Sequence, residues 1–92
     1  MRKLLFFYAS WCGPCKVYGK EIIDPLEQIA PGKVERIDAW KEPWKASKYR
    51  VERLPIAVLA EDGKAYKTYT GAFDIQWASE WLKGGNNAGI NN

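Results

Sequence analysis

The stretch Leu4-Leu5-Phe6-Phe7-Tyr8-Ala9-Ser10-Trp11-Cys12-Gly13-Pro14-Cys15 joins a continuous apolar run to both cysteines of the chain. A short unbroken apolar run reads as a buried parallel strand. After Gly13 the period changes, and Cys15, Tyr18, Ile22, Leu26 and Ile29 recur at helical spacing. A helix that starts near Gly13 puts Cys12 at its N-terminal edge and Cys15 about one turn in. Residues three apart share a helix face. That brings the pair into the range of roughly 4.4–6.8 Å between Cα atoms that a disulfide needs. Pro14 suits the first turn, where its missing N–H has no intrahelical partner. Gly13, lacking a Cβ, lets another chain approach the Cys12 sulfur.

Such a dithiol closes and reopens. A thiol at a helix N-terminus faces unpaired N–H groups and the positive end of the macrodipole, both of which favour the thiolate. Cys-X-X-Cys sites range from about 3.5 to 7.5 in pKa, against about 8.5 for a free cysteine. Cys12 is therefore the expected nucleophile, and the deeper Cys15 the resolving thiol that attacks the mixed disulfide. Structural zinc needs about four Cys or His ligands; with two cysteines and no histidine, it would require a shared site. A purely structural disulfide would close a very small loop and add little stability. Two inert thiols fit poorly with a Gly-Pro insert after a strand. Redox chemistry is the favoured reading.

Trp11-Cys12-Gly13-Pro14-Cys15-Lys16 resembles the active-site signature of thioredoxins, and three further segments are similar to that family in the same order. Arg53-Leu54-Pro55-Ile56 resembles its cis-proline segment, Glu61-Asp62-Gly63-Lys64 its hairpin turn, and Thr70-Gly71-Ala72 the glycine-containing loop before its last helix. The resemblance spans about residues 3–83. It implies a cis Leu54–Pro55 bond beside the dithiol. It also implies a substrate groove bordered by Leu54, Pro55, Gly71 and Ala72, and an active-site loop of Trp11, Gly13 and Pro14. On spacing alone, Pro55 simply begins a strand.

The chain also departs from that family. The buried Asp six residues before the first cysteine is Phe6 here, and the lysine that often partners it corresponds to Val34 or a neighbour. The proton-transfer pair is therefore not carried over, and water, Glu21 or Asp38 stands in for the base. Tyr8 takes the place of a common Trp as a core aromatic. Pro25 falls about a turn later than the family's kinking proline, which suggests an inserted turn that keeps the buried face.

The remaining elements read as follows. The first helix runs from 13 to 23, kinks, and continues to 30, with Asp24-Pro25-Leu26-Glu27 as N-cap, N1 proline and capping-box residue. A strand follows at 33–39, then a helix at 42–49, a hairpin from 56–60 and 65–70, and a helix at 75–83 capped by Asp74. The last helix presents Ile75, Ala78, Trp81 and Leu82 on one side. The order β-α-β-α-β-β-α is an α/β architecture, a minimal thioredoxin fold with a four-stranded mixed sheet flanked by helices. The family's extra N-terminal strand and helix are expected to be missing, since the dithiol strand starts at Met1, and in this the chain resembles a glutaredoxin. Residues 1–85 form one domain and 86–92 a flexible C-terminal tail.

Composition narrows the function classes. The chain has 92 residues, 47% of them hydrophobic, and a net charge of +3, which gives no argument for nucleic acid or membrane binding. The apolar run after Met1-Arg2-Lys3 is shorter than the roughly 7–15 residues of a signal peptide, so the reading is cytoplasmic. Trp40 and Trp44 read as core or rim packing, Trp77 and Trp81 as helix-to-sheet core, and Trp11 as either a substrate contact or exposed packing. Lys41, Lys45, Lys48, Arg50 and Arg53 form a basic cluster, a solvated face or a steering surface for an acidic partner.

The resulting expectation is a monomeric protein-disulfide reductase without cofactor or metal. It acts on disulfide-containing protein substrates and is regenerated by a thioredoxin reductase-like enzyme. The alternatives are a glutathione-dependent glutaredoxin-like enzyme and a non-enzymatic binding module on the same fold.

Overall fold

The computed structural model describes residues 1–85; the tail expected at 86–92 lies outside the described residues. The elements are β1 (Arg2–Tyr8), α1 (Gly13–Tyr18), a π-helical segment (Gly19–Ile23), α2 (Asp24–Ile29), β2 (Val34–Asp38), α3 (Pro43–Lys48), β3 (Ile56–Glu61), β4 (Lys64–Tyr69) and α4 (Ile75–Leu82). The sheet order is β2-β1-β3-β4, with β1 parallel to β2, antiparallel to β3, and β3 antiparallel to β4. This is the expected α/β architecture.

Strand periodicity divides the core in two. Leu4 and Phe6 of β1 point to one face with Ala57 and Leu59 of β3, where residues of α1, α2 and α4 cover them. Leu5 and Phe7 point to the other face with Ile56, Val58 and Ala60, against Ala46 of α3 and Tyr49 just after it. The continuous apolar run of β1 therefore reflects burial on both faces. The turn into β4 is made by Asp62 and Gly63, both at positive φ (53° and 82°), a conformation suited to a two-residue hairpin.

The long helical region differs from expectation. No capped restart occurs at Asp24: Ile23 and Asp24 both have helical backbone angles, and Ile23 makes no side-chain cap. Instead the chain widens, and the Asp24 N–H bonds to the Gly19 carbonyl five residues back. A proline in a helix collides with the carbonyl four residues earlier. The wide turn immediately before Pro25 accommodates its ring without ending the helix. The widening also rotates the buried face. Ile23, Leu26 and Ala30 are sealed in the core, whereas Ile22 is half-buried and Ile29 is 37% exposed. The expected stripe through Ile22 and Ile29 is thus displaced by one residue. The Asp24 and Glu27 carboxylates, expected to cap, both bind Arg36 of β2.

α4 follows its sequence signals. The Asp74 carboxylate accepts from the N–H groups of Gln76 and Trp77, and Gly84 at φ 93° follows the last turn. Ala78, Trp81 and Leu82 are buried, Ile75 is half-buried, and Ser79 joins the buried side. Trp77 is half-buried beside the Lys67 ammonium rather than sealed in.

α1 is pinned to the loop before α4 by Tyr18, whose hydroxyl donates to the Gly71 carbonyl at 2.9 Å. Burial, with a smaller contribution from Tyr69, pushes the Tyr18 phenol up to about 12.

Two outcomes follow from this packing. Ile23→Ala is expected to lower the unfolding free energy by about 3 kcal/mol, and Ile29→Ala by no more than about 1 kcal/mol, both by urea titration. An unregistered helix would reverse that order. Tyr18 sets an alkaline limit. The folded phenol keeps its proton to about pH 12, whereas the unfolded one loses it near pH 10. Between those values the unfolded chain binds fewer protons, so stability falls as pH rises. The stability gap between the parent and Tyr18→Phe is expected to shrink by roughly 2 kcal/mol across that window.

Candidate active site

β1 ends at Tyr8, and a tight turn follows in which the Cys12 N–H donates to the Ala9 carbonyl at 3.1 Å. Cys12 is the N-cap of α1, with extended backbone (φ −91°, ψ 104°). Its Sγ accepts from the Cys15 backbone N–H at 3.1 Å, where Ser or Asp usually supplies an oxygen. The two cysteines are joined as a disulfide with Cα atoms 5.2 Å apart. Both are buried, Cys12 to 6% and Cys15 to 3% exposure. Pro14 occupies the first turn. A Cβ on Gly13 would meet nothing within 4 Å, so the approach to the dithiol from that side is open.

The other expected site residues divide. The Leu54–Pro55 peptide is cis, and Leu54 packs against the core cluster that contains both cysteines. Gly71 is tied to α1 by the Tyr18 hydroxyl, a link that no motif announces. Ala72 is exposed and lines a separate cleft with Phe73, Asp74 and Trp77. Trp11 is 66% exposed and meets the ring of Trp40 edge-on at 6.4 Å. Trp40 and Trp44 are 70% and 64% exposed, so neither is core. Their loop and helix N-terminus stand clear of the sheet face that α3 covers further along.

On the other side of Cys15 lies a cleft of about 680 Å³, lined in part by Phe6, Tyr8, Ser10, Lys20, Asp24 and Arg36. Phe6 is buried and stacks on Tyr8 and Tyr18, with centroids 5.6 and 5.7 Å away. The β1–β2 register places Arg36, not Val34, beside Phe6; Val34 pairs with Leu4. Sequence spacing alone did not fix that register. The Arg36 guanidinium bonds to Glu27 and Asp24, and the bond to Glu27 is the main cause raising its pKa above the ordinary range. Neither candidate base lines this cleft. Glu21 is exposed, and the Asp38 carboxylate is occupied by the N–H groups of Trp40 and Lys41. Among the described residues, no group of three or more His, Cys, Asp or Glu is placed to hold a metal ion.

The thioredoxin family model matches residues 2–83. Thioredoxin Y2 of Arabidopsis thaliana, a chloroplastic protein, is 40% identical over 72 residues, 75% of this chain and 42% of that one. A thioredoxin of Staphylococcus epidermidis is 35% identical over 74 residues, covering 75% of this chain and 67% of that one. The chain spans about two fifths of the length of the plant thioredoxins it matches. Among solved structures, oxidised mitochondrial thioredoxin 3 of Saccharomyces cerevisiae superposes with a TM-score of 0.71 at 28% identity, covering 90% of this chain and 77% of that one. With a Cys-Gly-Pro-Cys pair that caps the helix following β1, a cis Leu54–Pro55 bond whose Leu54 packs against the same core, and this match over nearly the whole described chain, the protein belongs to the thioredoxin family.

Proposed function

We propose that this protein is a dithiol–disulfide oxidoreductase that reduces disulfides in other proteins. The observation that carries the reading is the Cys15 N–H aimed at the Cys12 Sγ from within the first turn of α1. In the reduced protein the same donor faces a thiolate, and a hydrogen bond to the charged form favours that form. Cys12 is the nucleophile. Its thiolate attacks one sulfur of a client disulfide; a Cys12–client disulfide forms, and the first client sulfur leaves as thiolate and takes a proton from water. Cys15 then loses its proton and attacks the Cys12 Sγ. The intermolecular bond breaks, the second client thiolate departs, and two electrons have passed from the dithiol to the client. The product is the Cys12–Cys15 disulfide.

The Cys15 proton leaves to water in the cleft of Phe6, Tyr8 and Ser10, since Phe6 has no group to accept it. Removing a buried carboxylate also removes a like charge beside the forming Cys15 thiolate. The groove of Leu54, Pro55 and Gly71 receives an extended client segment by strand addition. A reductase of the thioredoxin reductase kind restores the dithiol, the protein works as a monomer, and a reducing compartment such as the cytoplasm keeps it active.

Cysteine variants test the sequence of events. Cys12→Ser is expected to abolish reduction of protein disulfides, by at least about 10³-fold. Cys15→Ser is expected to retain attack and accumulate a one-to-one protein–client mixed disulfide, seen by non-reducing electrophoresis and intact mass. Equilibration with graded glutathione buffers is expected to place the Cys12–Cys15 potential below the glutathione couple. A potential at or above that couple would overturn the reductive direction.

A further inference from the structure

Beside the dithiol, the β2–α3 loop and the segment leading to the cis proline extend the groove of Leu54 and Pro55 into a wider surface. Trp40 stands edge-on to Trp11, and both rings are about two-thirds exposed. Beside Trp11 lies a cavity of about 410 Å³ lined by Trp11, the apolar side chains of Ala39, Ala46, Val51 and Leu54, and the opposite charges of Glu52 and Arg53. It begins at the residue before Cys12 and ends at the residue before the cis bond. A tryptophan left in water buries its large ring surface when a partner arrives, and such rings dominate binding energy.

The charge around this surface is one-sided. Residues 39–54 contain Lys41, Lys45, Lys48, Arg50 and Arg53 against Glu42 and Glu52, a net +3 that equals the charge of the whole chain. Lys45 is engaged by Glu35 and Glu42. Lys41 and Arg53 form no ion pair among the described residues, and they flank Trp40 and Leu54 in sequence.

We infer that this face selects clients: the Trp11–Trp40 pair and the cavity beside Trp11 take a large aromatic side chain next to the client's reactive cysteine, and Lys41 and Arg53 take an acidic residue beyond it. The inference rests on the reductase reading above and names its substrate class, a disulfide in an acidic, aromatic-bearing segment. Oppositely charged surfaces steer encounter and fix register, while the ring supplies the buried anchor.

The test uses four synthetic hexapeptides, each presented as its symmetric disulfide, with Phe or Ala beside the cysteine and Glu or Lys two positions further. The reduced protein converts each into two peptide thiols and becomes the Cys12–Cys15 disulfide, and the second-order rate is followed by quenched flow. Dithiobis(nitrobenzoate), whose own rings are aromatic and anionic, serves only to check that the dithiol is reactive. The Phe/Glu peptide is expected to react about tenfold faster than the Ala/Glu peptide. That ratio is expected to fall to near one in Trp40→Ala, and the preference for Glu over Lys to reverse in Arg53→Glu. Equal rates for all four peptides, or ratios unchanged in both variants, would overturn the surface while leaving the dithiol chemistry standing. Failure of the parent protein to reduce even dithiobis(nitrobenzoate) would overturn the reductase reading and the client surface with it.

Discussion

β1 is bonded on both edges, to β2 and β3, and buried on both faces, so its C-terminal end cannot shift without unpacking two cores. That constraint fixes the place where the chain turns from strand to helix, and with it Cys12. The turn closed by the Cys12 N–H and the Ala9 carbonyl delivers Cys12 to the N-cap of α1. The helix then presents the Cys15 N–H to the Cys12 sulfur. A cap that is normally an oxygen is here a sulfur, and under the mechanism proposed above the same bond that starts the helix also tunes the nucleophile. Stability and reactivity are coupled at one atom.

The second face of the dithiol is built differently. Phe6, Tyr8 and Tyr18 form a stacked group against Cys15. The nearest fixed charge across the sheet, Arg36, is tied outward to Glu27 and Asp24. A buried carboxylate at position 6 would have required a partner to offset its desolvation. The aromatic ring needs none, and it strengthens the core instead. Tyr18 is the member with a polar end, and its hydroxyl finds the Gly71 carbonyl as buried hydroxyls generally find acceptors.

The topology was legible because each strand and helix carried its own period and punctuation. Asp74 caps α4, Asp62-Gly63 turns the hairpin, and Pro14 opens α1, each by a local mechanism that needs no tertiary information. Cys12 and Cys15 were legible for the same reason. The misreading at Pro25 has a clear origin. Proline in a helical pattern signals either a restart or a distortion, and only packing decides between them. Burying Ile23 instead of Ile22 favoured the wide turn, and Asp24 was free to bind Arg36 because it had no helix to cap. Arg36 beside Phe6 and Trp40 beside Trp11 are pairings between distant segments, and one sequence carries no local trace of them.

The division of labour between the frame and its loops follows from the same physics. Residues that hold the dithiol are strand ends and helix starts, where a displacement is resisted by packing on every side. Trp11, Trp40 and Arg53 lie on connections, where backbone is exposed and a change of side chain leaves the sheet intact. A protein organised this way keeps one exchange chemistry fixed while its rim is free to vary. Three exposed tryptophans, Trp40 and Trp44 among them within a segment of net charge +3 at residues 39–54, are a poor solution for solubility, because exposed rings promote association. They suit the client recognition proposed above, because rigid rings lose little entropy on burial and charge directs their approach.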